Sequence, residues 1–444
     1  MIDSLLIANR GEIARRIIRT AKRLGIRTIA VHSEPDENMP FVSEADEAVC
    51  IGPANPVESY RNAEAILAAA KSTGAQAIHP GYGFLSENAD FARLVEANGL
   101  VWVGPSADAI AAMGDKIKAR NLMAAAGVPV APGTQDPVAS EDEAVTAAAT
   151  IGYPIMVKAA AGGGGMGMAV AGDEAALRTE FAKVGAFAQR MFGSGDVLLE
   201  RYFPRVRHVE VQILGLADGR VVALSERECS VQRRNQKLVE EAPSPAVDPE
   251  LRRRFLAAAV KAGEAVGYRN AGTVECLLDP ATGDFFFLEM NTRLQVEHPI
   301  TELIHGIDLV EEQLRVASGE APSFTDVPET SGHAIELRIN AEDPKRFLPG
   351  PGQVTTWVEP SGEGVRVDSG YAEGTTVGMS YDSLMAKLIV VGADRDEAIA
   401  RARAAVAGFA IAGPKNNLPF FAELLENDEF LSGDYDTAIV SRMR

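Results

Sequence analysis

Apolar positions change period several times along the chain, and the changes mark out its elements. Residues 4–8, SLLIA, are nearly continuously apolar and NRGE turns. Ile13, Ile17, Ile18, Ala21 and Leu24 then recur at helical spacing up to Gly25. RTIAVHS (27–33) reads as a second strand. The helix-then-strand order returns in AEAILAAAKSTG with AQAIHPG (63–81), and again in FARLVEANG with LVWVGP (91–105). This alternation predicts a doubly wound α/β domain over residues 1–115. Its first turn has one glycine, Gly11, and no GxGxxG, so a nicotinamide cofactor is not expected.

Beyond GVPVAPGTQDPVASEDEA (127–144), a break rich in Pro, Gly and acid, the pattern becomes α+β. YPIMVKAAAGGGGMGMAVAG (153–172) predicts a strand, a glycine loop and a second strand. DVLLERYF, RHVEVQILGL and RVVALSERECSVQR read as further strands without long helices between them. GTVECLL (272–278) and FFFLEMN (285–291) flank the turn DPATGD as a hairpin. In EMNTRLQVEHP (289–299) the period is two, which predicts a strand with Glu289, Asn291, Arg293, Gln295 and Glu297 on one face. Solvated strand faces usually carry Lys, Thr and Ser, so this row points to a site. After SFTDVPETSG come short strands, HAIELRINA, GQVTTWVEP, GVRVDSG and LMAKLIVVG, then a helix from Asp394 to about Gly408.

Charge narrows the function classes. Sixty-two acidic against 43 basic residues give −19, which argues against a general nucleic-acid or anionic-membrane surface. Hydrophobic content of 46% is ample for cores. The three cysteines, Cys50, Cys229 and Cys276, form no CxxC and read as reduced thiols of a cytoplasmic protein. Six scattered histidines without HExxH make zinc improbable. The apolar runs are far shorter than the ~20 residues of a membrane span, and the N-terminus lacks a signal-peptide pattern.

Two features carry chemistry. Four consecutive glycines, Gly162–Gly165, are costly in chain entropy, and with Gly167 they form a loop whose backbone N–H groups can close over phosphates. Lys158, just upstream, supplies a point charge for the same purpose. In the hairpin, a turn centred near residue 282 pairs Glu275 with Glu289, seven residues away on either side. Opposed like charges are destabilising across strands, and a hard cation such as Mg2+ between them removes the fault. On that reading, neutralising Glu275 stabilises the metal-free protein.

The order YPIMVKAAAGGGGMG, ECSVQRRNQKLVEEAPSP, EMNTRLQVEHP is similar to the biotin carboxylase branch of the ATP-grasp enzymes. HPGYGFLSEN (79–88) and LRINAEDP (337–344) extend the resemblance over essentially the whole chain. It implies three parts: an N-terminal doubly wound domain (1–115), an ATP-grasp domain (116–330) with a glycine-rich lid at about 131–203, and a C-terminal biotin carboxylase domain (331–444). It also implies roles. Lys116 and Lys158 hold ATP phosphates under Gly162, Gly163, Gly164, Gly165 and Gly167; Glu200 meets the adenine; His208 and Gln232 lie near the nucleotide. Glu275, Glu289 and Asn291 bind Mg2+ (or Mn2+). Lys237, Arg293, Gln295 and the Val296 backbone bind bicarbonate, and Glu297 is the base that deprotonates it. Arg338 faces the biotin ureido group and Tyr82 the biotin ring.

RRNQK and EEAPSP look most like acyl-CoA carboxylase subunits of fatty acid metabolism. The implied reaction is ATP-dependent carboxylation of carrier-bound biotin. A biotin carboxyl carrier protein and a carboxyltransferase would be partners, and a homodimer the assembly. The rivals are another bicarbonate-activating or carboxylate–amine ATP-grasp ligase and a catalytically silent nucleotide-binding subunit. Met166 stands where relatives commonly have Lys or Arg, and Asn235 where many have His. Neither departure removes a ligand or the base.

Overall fold

The opening apolar run becomes β1 (Ser4–Ile7), with every residue buried, and α1 (Gly11–Arg23) follows. The computed structural model describes residues 1–160 and 167–444. Next come β2 (Arg27–Ser33), α2 (Pro40–Glu44), β3 (Glu47–Gly52), α3 (Ala63–Thr73), β4 (Ala77–His79), α4 (Ala89–Ala97) and β5 (Val101–Trp102). The five strands make a parallel sheet in the order β3-β2-β1-β4-β5. Its direction reverses between β1 and β4, where open α/β sheets form a crevice. Asn9 bridges that point, donating to the carbonyls of Pro80 and Tyr82, each at 2.7 Å. Gly81 has φ +62°, and a Cβ there would lie 2.8 Å from the Asn9 amide nitrogen. The close approach that sets Tyr82 in place therefore requires glycine.

After α5 (Ala107–Gly114), α6 (Lys116–Ala125) and α7 (Glu141–Ile151), a small antiparallel sheet forms in the order β7-β6-β8. It comprises β6 (Ile155–Ala159), β7 (Met168–Ala171) and β8 (Val197–Arg201), with α8 (Glu174–Phe192) between the last two. Ile155, Val157, Leu177, Val184 and Leu199 belong to a core of its own. Neither α7 nor α8 is anticipated by the strand pattern. The signal for α7 lay inside the acidic break, where the Ser140 hydroxyl accepts the Glu143 N–H.

The largest sheet has eight strands. It contains β9 (Arg207–Gly215), β10 (Val221–Arg233), β11 (Gln236–Ala242), β12 (Asn270–Asp279), β13 (Asp284–Asn291) and β14 (His333–Asn340). Helices α9 (Pro249–Ala265), α10 (His298–His305) and α11 (Leu309–Ala317) interrupt this series. GQVTTWVEP, read as one strand, splits into β15 (Gly352–Gln353) and β16 (Thr356–Val358). β17 (Val365–Ser369), β18 (Thr376–Val377), β19 (Leu384–Gly392), α12 (Arg395–Gly408) and β20 (Ala410–Ala412) follow. The sheet order is β13-β12-β9-β10-β11-β14-β19-β17, so segments from 207–291 and 333–392 share one hydrogen-bonded surface. Pairs β15–β18 and β16–β20 stand apart.

One expectation fails at the most informative segment. β13 ends at Asn291, and residues 292–297 are not a strand. The Thr292 N–H goes to Glu87 Oε1 at 3.0 Å, and the chain turns so that Glu297 becomes the N-cap of α10. Pro299 in the first turn favours helix entry there and has no N–H for a ladder.

Candidate active site

Three strands build the floor. On β9, His208, Glu210 and Gln212 alternate onto one face and all are buried. Arg227 on β10 is wholly buried opposite Glu210. Its donors reach Glu210 (2.6 Å), Gln212 (2.7 Å), Gln295 (3.0 Å), Thr301 (3.0 Å) and Thr273 (3.1 Å). A buried charge is tolerable only when paired and hydrogen-bonded in this way.

Lys237, at the start of β11, is the hub. Its ammonium donates to Glu210 (2.5 Å), Glu297 (2.6 Å) and Glu275 (2.9 Å), one bond for each of its three protons. Glu297 continues outward, accepting at its second oxygen from Arg338 at 2.9 Å, and Arg338 also bonds Glu240. Burial works to raise the Glu297 carboxyl, but the charges of Lys237, Arg338 and Arg227 more than offset it, holding it well below the usual range. It is ionised at neutral pH. Burial raises Glu240 to about 7 against the pull of Arg338.

The hairpin gives the second centre. Glu275 and Glu289 are opposite one another, as the sequence predicts, but not through an unbroken register. Near the turn the pairs are Asp279–Asp284, Leu278–Phe285 and Cys276–Phe287; a bulge at Leu288 then brings Glu289 against Glu275. The bulge also switches faces. Phe285 and Phe287 point into a core, and beyond Leu288 it is Met290 that does so, which turns Glu289 and Asn291 to the site. A cleft of about 190 Å³ opens here, lined by Glu87, Lys116, Glu289 and Asn291.

Glu275 accepts from Lys237 and Gln295 at one oxygen, while His208 Nε2 lies 3.1 Å from the other, at ion-pair distance without hydrogen-bond alignment. Burial pushes its carboxyl up, yet Lys237 and His208 hold it well below the usual range. Glu289 is pushed up by burial and by the charge of Glu275, with Lys116 Nζ 4.0 Å away. The buried Asn291 amide nitrogen has no partner among the described residues. A carboxylate short of compensating charge, facing a second carboxylate across a cleft, suits a hard divalent cation. The buried clusters His208–Glu210–Glu275 and Glu210–Cys229–Glu297 also have metal-ligand spacing, but the Lys237 ammonium already bridges their carboxylates.

Arg293 donates to Glu87 (3.1 Å), Asn291 (2.8 Å) and the Leu294 carbonyl (3.3 Å). Lys158 on β6 pairs with Glu200 on β8, and Arg120, one turn beyond Lys116 on α6, lies 3.9 Å from the same carboxylate. Gly162, Gly163, Gly164, Gly165 and Met166 lie outside the described residues. Gly167 has φ +70°, and a Cβ there would meet the Ala159 Cβ at 2.9 Å. Tyr82 hydrogen-bonds Glu12, which lies 3.2 Å from the buried Lys387; Lys387 donates in turn to the Val296 carbonyl at 2.9 Å.

The structure thus gathers Lys237, Glu275, Gln295, Glu297 and Arg338 into one bonded chain, with Arg293, Asn291, Glu289 and Lys116 along its edge. Lys158 and Glu200 form a separate pair on the small sheet. Gln232 lies opposite Lys237 in the β10–β11 hairpin, with no side-chain bond of its own among the described residues. Sequence reasoning missed Glu210, Arg227, Glu240, Glu12, Lys387 and Glu87. The alternation His208–Glu210–Gln212 could have flagged Glu210; Arg227 and Lys387 sit in runs that give no comparable signal. A larger cavity of about 550 Å³, lined by Val406, Phe409, Ile411 and Leu418, contains none of these residues.

A central sheet carrying the polar centre, with lysines presented both from α6 and from a separate small sheet, defines an ATP-grasp ligase. Three family descriptions match the chain: "Biotin carboxylase, N-terminal domain" over 1–110, "Carbamoyl-phosphate synthase L chain, ATP binding domain" over 115–323, and "Biotin carboxylase C-terminal domain" over 336–442. The chain is 51% identical over 440 residues to biotin carboxylase 1 of Bacillus subtilis, covering 98% of each. It is 49% identical over 435 residues to the biotin carboxylase of Pseudomonas aeruginosa, covering 98% of this chain and 96% of that one. Among solved structures, the biotin carboxylase β-γ-ATP complex of Campylobacter jejuni superposes with a TM-score of 0.95 at 44% identity, covering 100% and 99%. The biotin carboxylase domain dimer of Hydrogenobacter thermophilus 2-oxoglutarate carboxylase, in complex with MgADP, ADP and bicarbonate, gives 0.93 at 43%, covering 100% and 98%. The protein belongs to the biotin carboxylase family of ATP-dependent ligases.

Proposed function

We propose that the protein carboxylates biotin on a carrier, using ATP and bicarbonate, as the first half-reaction of an acyl-CoA or related carboxylase. The observation that carries this reading is one carboxylate, Glu297, bonded at its two oxygens to Lys237 and Arg338. Bicarbonate meets Lys237, Arg293, Gln295 and the Val296 backbone, taking a donor that Lys237 now gives to a carboxylate. Glu297, relieved of part of its positive surroundings, becomes basic enough to remove the bicarbonate proton. The resulting oxyanion attacks the γ-phosphorus of ATP, ADP leaves, and carboxyphosphate breaks into CO2 and phosphate. The phosphate ion takes the proton of biotin N1′, and the nitrogen attacks CO2 while Arg338 stabilises the ureido oxygen against the Tyr82 side.

Lys116 and Lys158 hold ATP phosphates beneath the glycine loop, Glu200 faces the adenine, and His208 and Gln232 flank the nucleotide. Glu275, Glu289 and Asn291 would hold Mg2+, which when bound offsets charge on the transferring phosphoryl group. The division near residues 115 and 330, with a lid at 131–203, follows from this reading. So do a homodimer, a carrier, a carboxyltransferase partner and a cytoplasmic site of action; among the described residues no helix is long and apolar enough to cross a membrane.

The test is ATP hydrolysis with and without bicarbonate and free biotin, with labelled bicarbonate followed into carboxybiotin. Bicarbonate-dependent hydrolysis stimulated by biotin, with label transfer, is expected. Hydrolysis indifferent to bicarbonate would sink the reading.

A further inference from the structure

The motif RRNQK contributes Lys237 to the centre, but its first residues form the exposed tip of the β10–β11 hairpin. Arg234 and Asn235 take left-handed backbone, φ +50° and +64°, which turns the tip outward. Arg233 lies 4.5 Å over the Phe347 ring and donates to the Phe347 carbonyl at 2.9 Å, fixing the tip to the loop that follows β14. On that loop Asp343 accepts the N–H groups of Lys345 and Arg346, and both side chains are exposed. Among the described residues Arg234, Lys345 and Arg346 pair with no carboxylate. Leu348 beside them is 56% exposed. In a chain of net charge −19, three unpaired cations around an apolar residue are a local reversal of sign.

The position of this patch gives it meaning. β14 carries Arg338 and runs directly into the loop, while the hairpin tip begins three residues before Lys237. Glu342, at the loop's start, accepts from Ser383; two residues earlier Tyr381 packs edge-on against Phe84, two residues after Tyr82 in the chain. The patch therefore borders the centre at the end of β14 that carries Arg338, the residue assigned to biotin.

We propose that the rim formed by Arg234, Lys345, Arg346 and Leu348 is the docking surface for an acidic face on the biotin-bearing carrier. This rests on the biotin carboxylase reading and adds the chemistry of the partner. A polyanion such as RNA is disfavoured by the field of the whole molecule, whereas a small acidic domain needs only the local patch. The cations steer the carrier and Leu348 supplies an apolar contact, leaving the biotin arm to enter beside Tyr82.

The probes are two labelled peptides that each contain one biotinyl-lysine, flanked by glutamates in one and by lysines in the other. Anisotropy reads their binding without turnover, and carboxylation of free biotin reads the active site separately. The wild-type protein should bind the acidic peptide about tenfold better at low salt, and the preference should fade as salt rises. In the variant Arg234→Asp, Lys345→Glu, Arg346→Glu the preference should vanish while carboxylation of free biotin stays unchanged. Aspartate is chosen at 234 because it tolerates left-handed backbone. Equal binding of the two peptides by the wild type, or a preference that survives in the variant, overturns the docking surface. Loss of free-biotin carboxylation in the wild type would instead overturn the function proposed above.

Discussion

Glu297 and Glu336 are both buried carboxyls within the same charge network, yet their surroundings drive them in opposite directions. Glu297 has two cations at its oxygens and is held ionised. Its replacement in Glu297→Gln should lower biotin carboxylation ~10²–10⁴-fold, as removal of a general base does, with ATP binding retained. Steady-state rates beside nucleotide titration check this, and wild-type turnover would refute the assignment. Glu336, on β14, lies opposite Glu240 on β11, and neither of its oxygens has a partner among the described residues. Burial, the charge of Glu240 and that of Glu297 push it well above the usual range, against Lys387 and Arg338. Its neutral form is therefore favoured in the folded protein. A carboxyl whose folded pKa is raised stabilises fully at low pH, and the contribution is lost as pH rises through the folded value. With Glu240 raised to about 7, stability should decline from the weakly acidic range upward. Glu336→Gln keeps a neutral side chain of the same shape, so its melting temperature should fall less than the wild type's between about pH 5 and about pH 8. An equal fall in the two proteins would show that Glu336 is ionised in the folded state across that range.

At the scale of elements, the β12–β13 hairpin corrects a sequence-based prediction. Opposition of Glu275 and Glu289 alone would make neutralisation of Glu275 stabilising. The structure gives Glu275 three partners, Lys237, Gln295 and His208, and leaves the unfavourable share with Glu289. Glu275→Gln should therefore cost about 1–3 kcal/mol, whereas Glu289→Gln should raise the melting temperature without metal and abolish Mg2+-dependent ATP turnover. Melts of both variants with and without Mg2+ separate these outcomes. Deleting Leu288 would leave Phe287 opposite Cys276 and Glu289 opposite Glu275 in an unbroken ladder, with Met290 still toward the core and Glu289 and Asn291 still toward the site. The deletion and Leu288→Ala should both retain Mg2+-dependent ATP turnover; loss of turnover in the deletion alone would show that the bulge itself positions Glu289.

For the whole molecule, sheet continuity decides what moves with what. β11 pairs with β14 through Val239–Leu337, Glu240–Glu336, Glu241–Ile335 and Ala242–Ala334, so the strand carrying Lys237 and the strand carrying Arg338 are hydrogen-bonded together. Lys237 and Arg338 are thereby held in one hydrogen-bonded sheet. The small sheet β7-β6-β8, with Lys158 and Glu200, has its own core and is joined to the eight-stranded sheet by no ladder among the described residues. Amide hydrogen exchange should show β9–β14 and β19 protected as one cooperative unit, with β6–β8 opening at lower free energy. Adding ATP should slow exchange in β6–β8 more than in β14, because nucleotide held by Lys158 and Glu200 would stabilise the sheet that carries them.

Much of this was legible in the linear chain. Period and punctuation gave the parallel N-terminal domain, most strands of the large sheet, the helix after Asp394 and the residue types of the centre, because those signals are local. The glycine run and Lys158 carry an expectation of phosphate binding that comes from neighbouring residues alone; Gly162–Gly165 lie outside the described residues, and Lys158 pairs with Glu200. Three things were decided only in three dimensions. The row from Glu289 to Glu297 looked like one strand face, but its members converge because the chain leaves the sheet at Thr292 and turns into α10 at Pro299. The facing carboxylates arise from a bulge that shifts register by one residue, which alternation of residue types does not encode. And Lys237 became the hub because Glu210, Glu275 and Glu297, remote in sequence, deliver carboxylates to one buried ammonium. Sequence by itself determined which groups the protein could use; only tertiary packing, by setting which charges share a water-poor space, determined which carboxyl is held ionised and which are driven toward their neutral form.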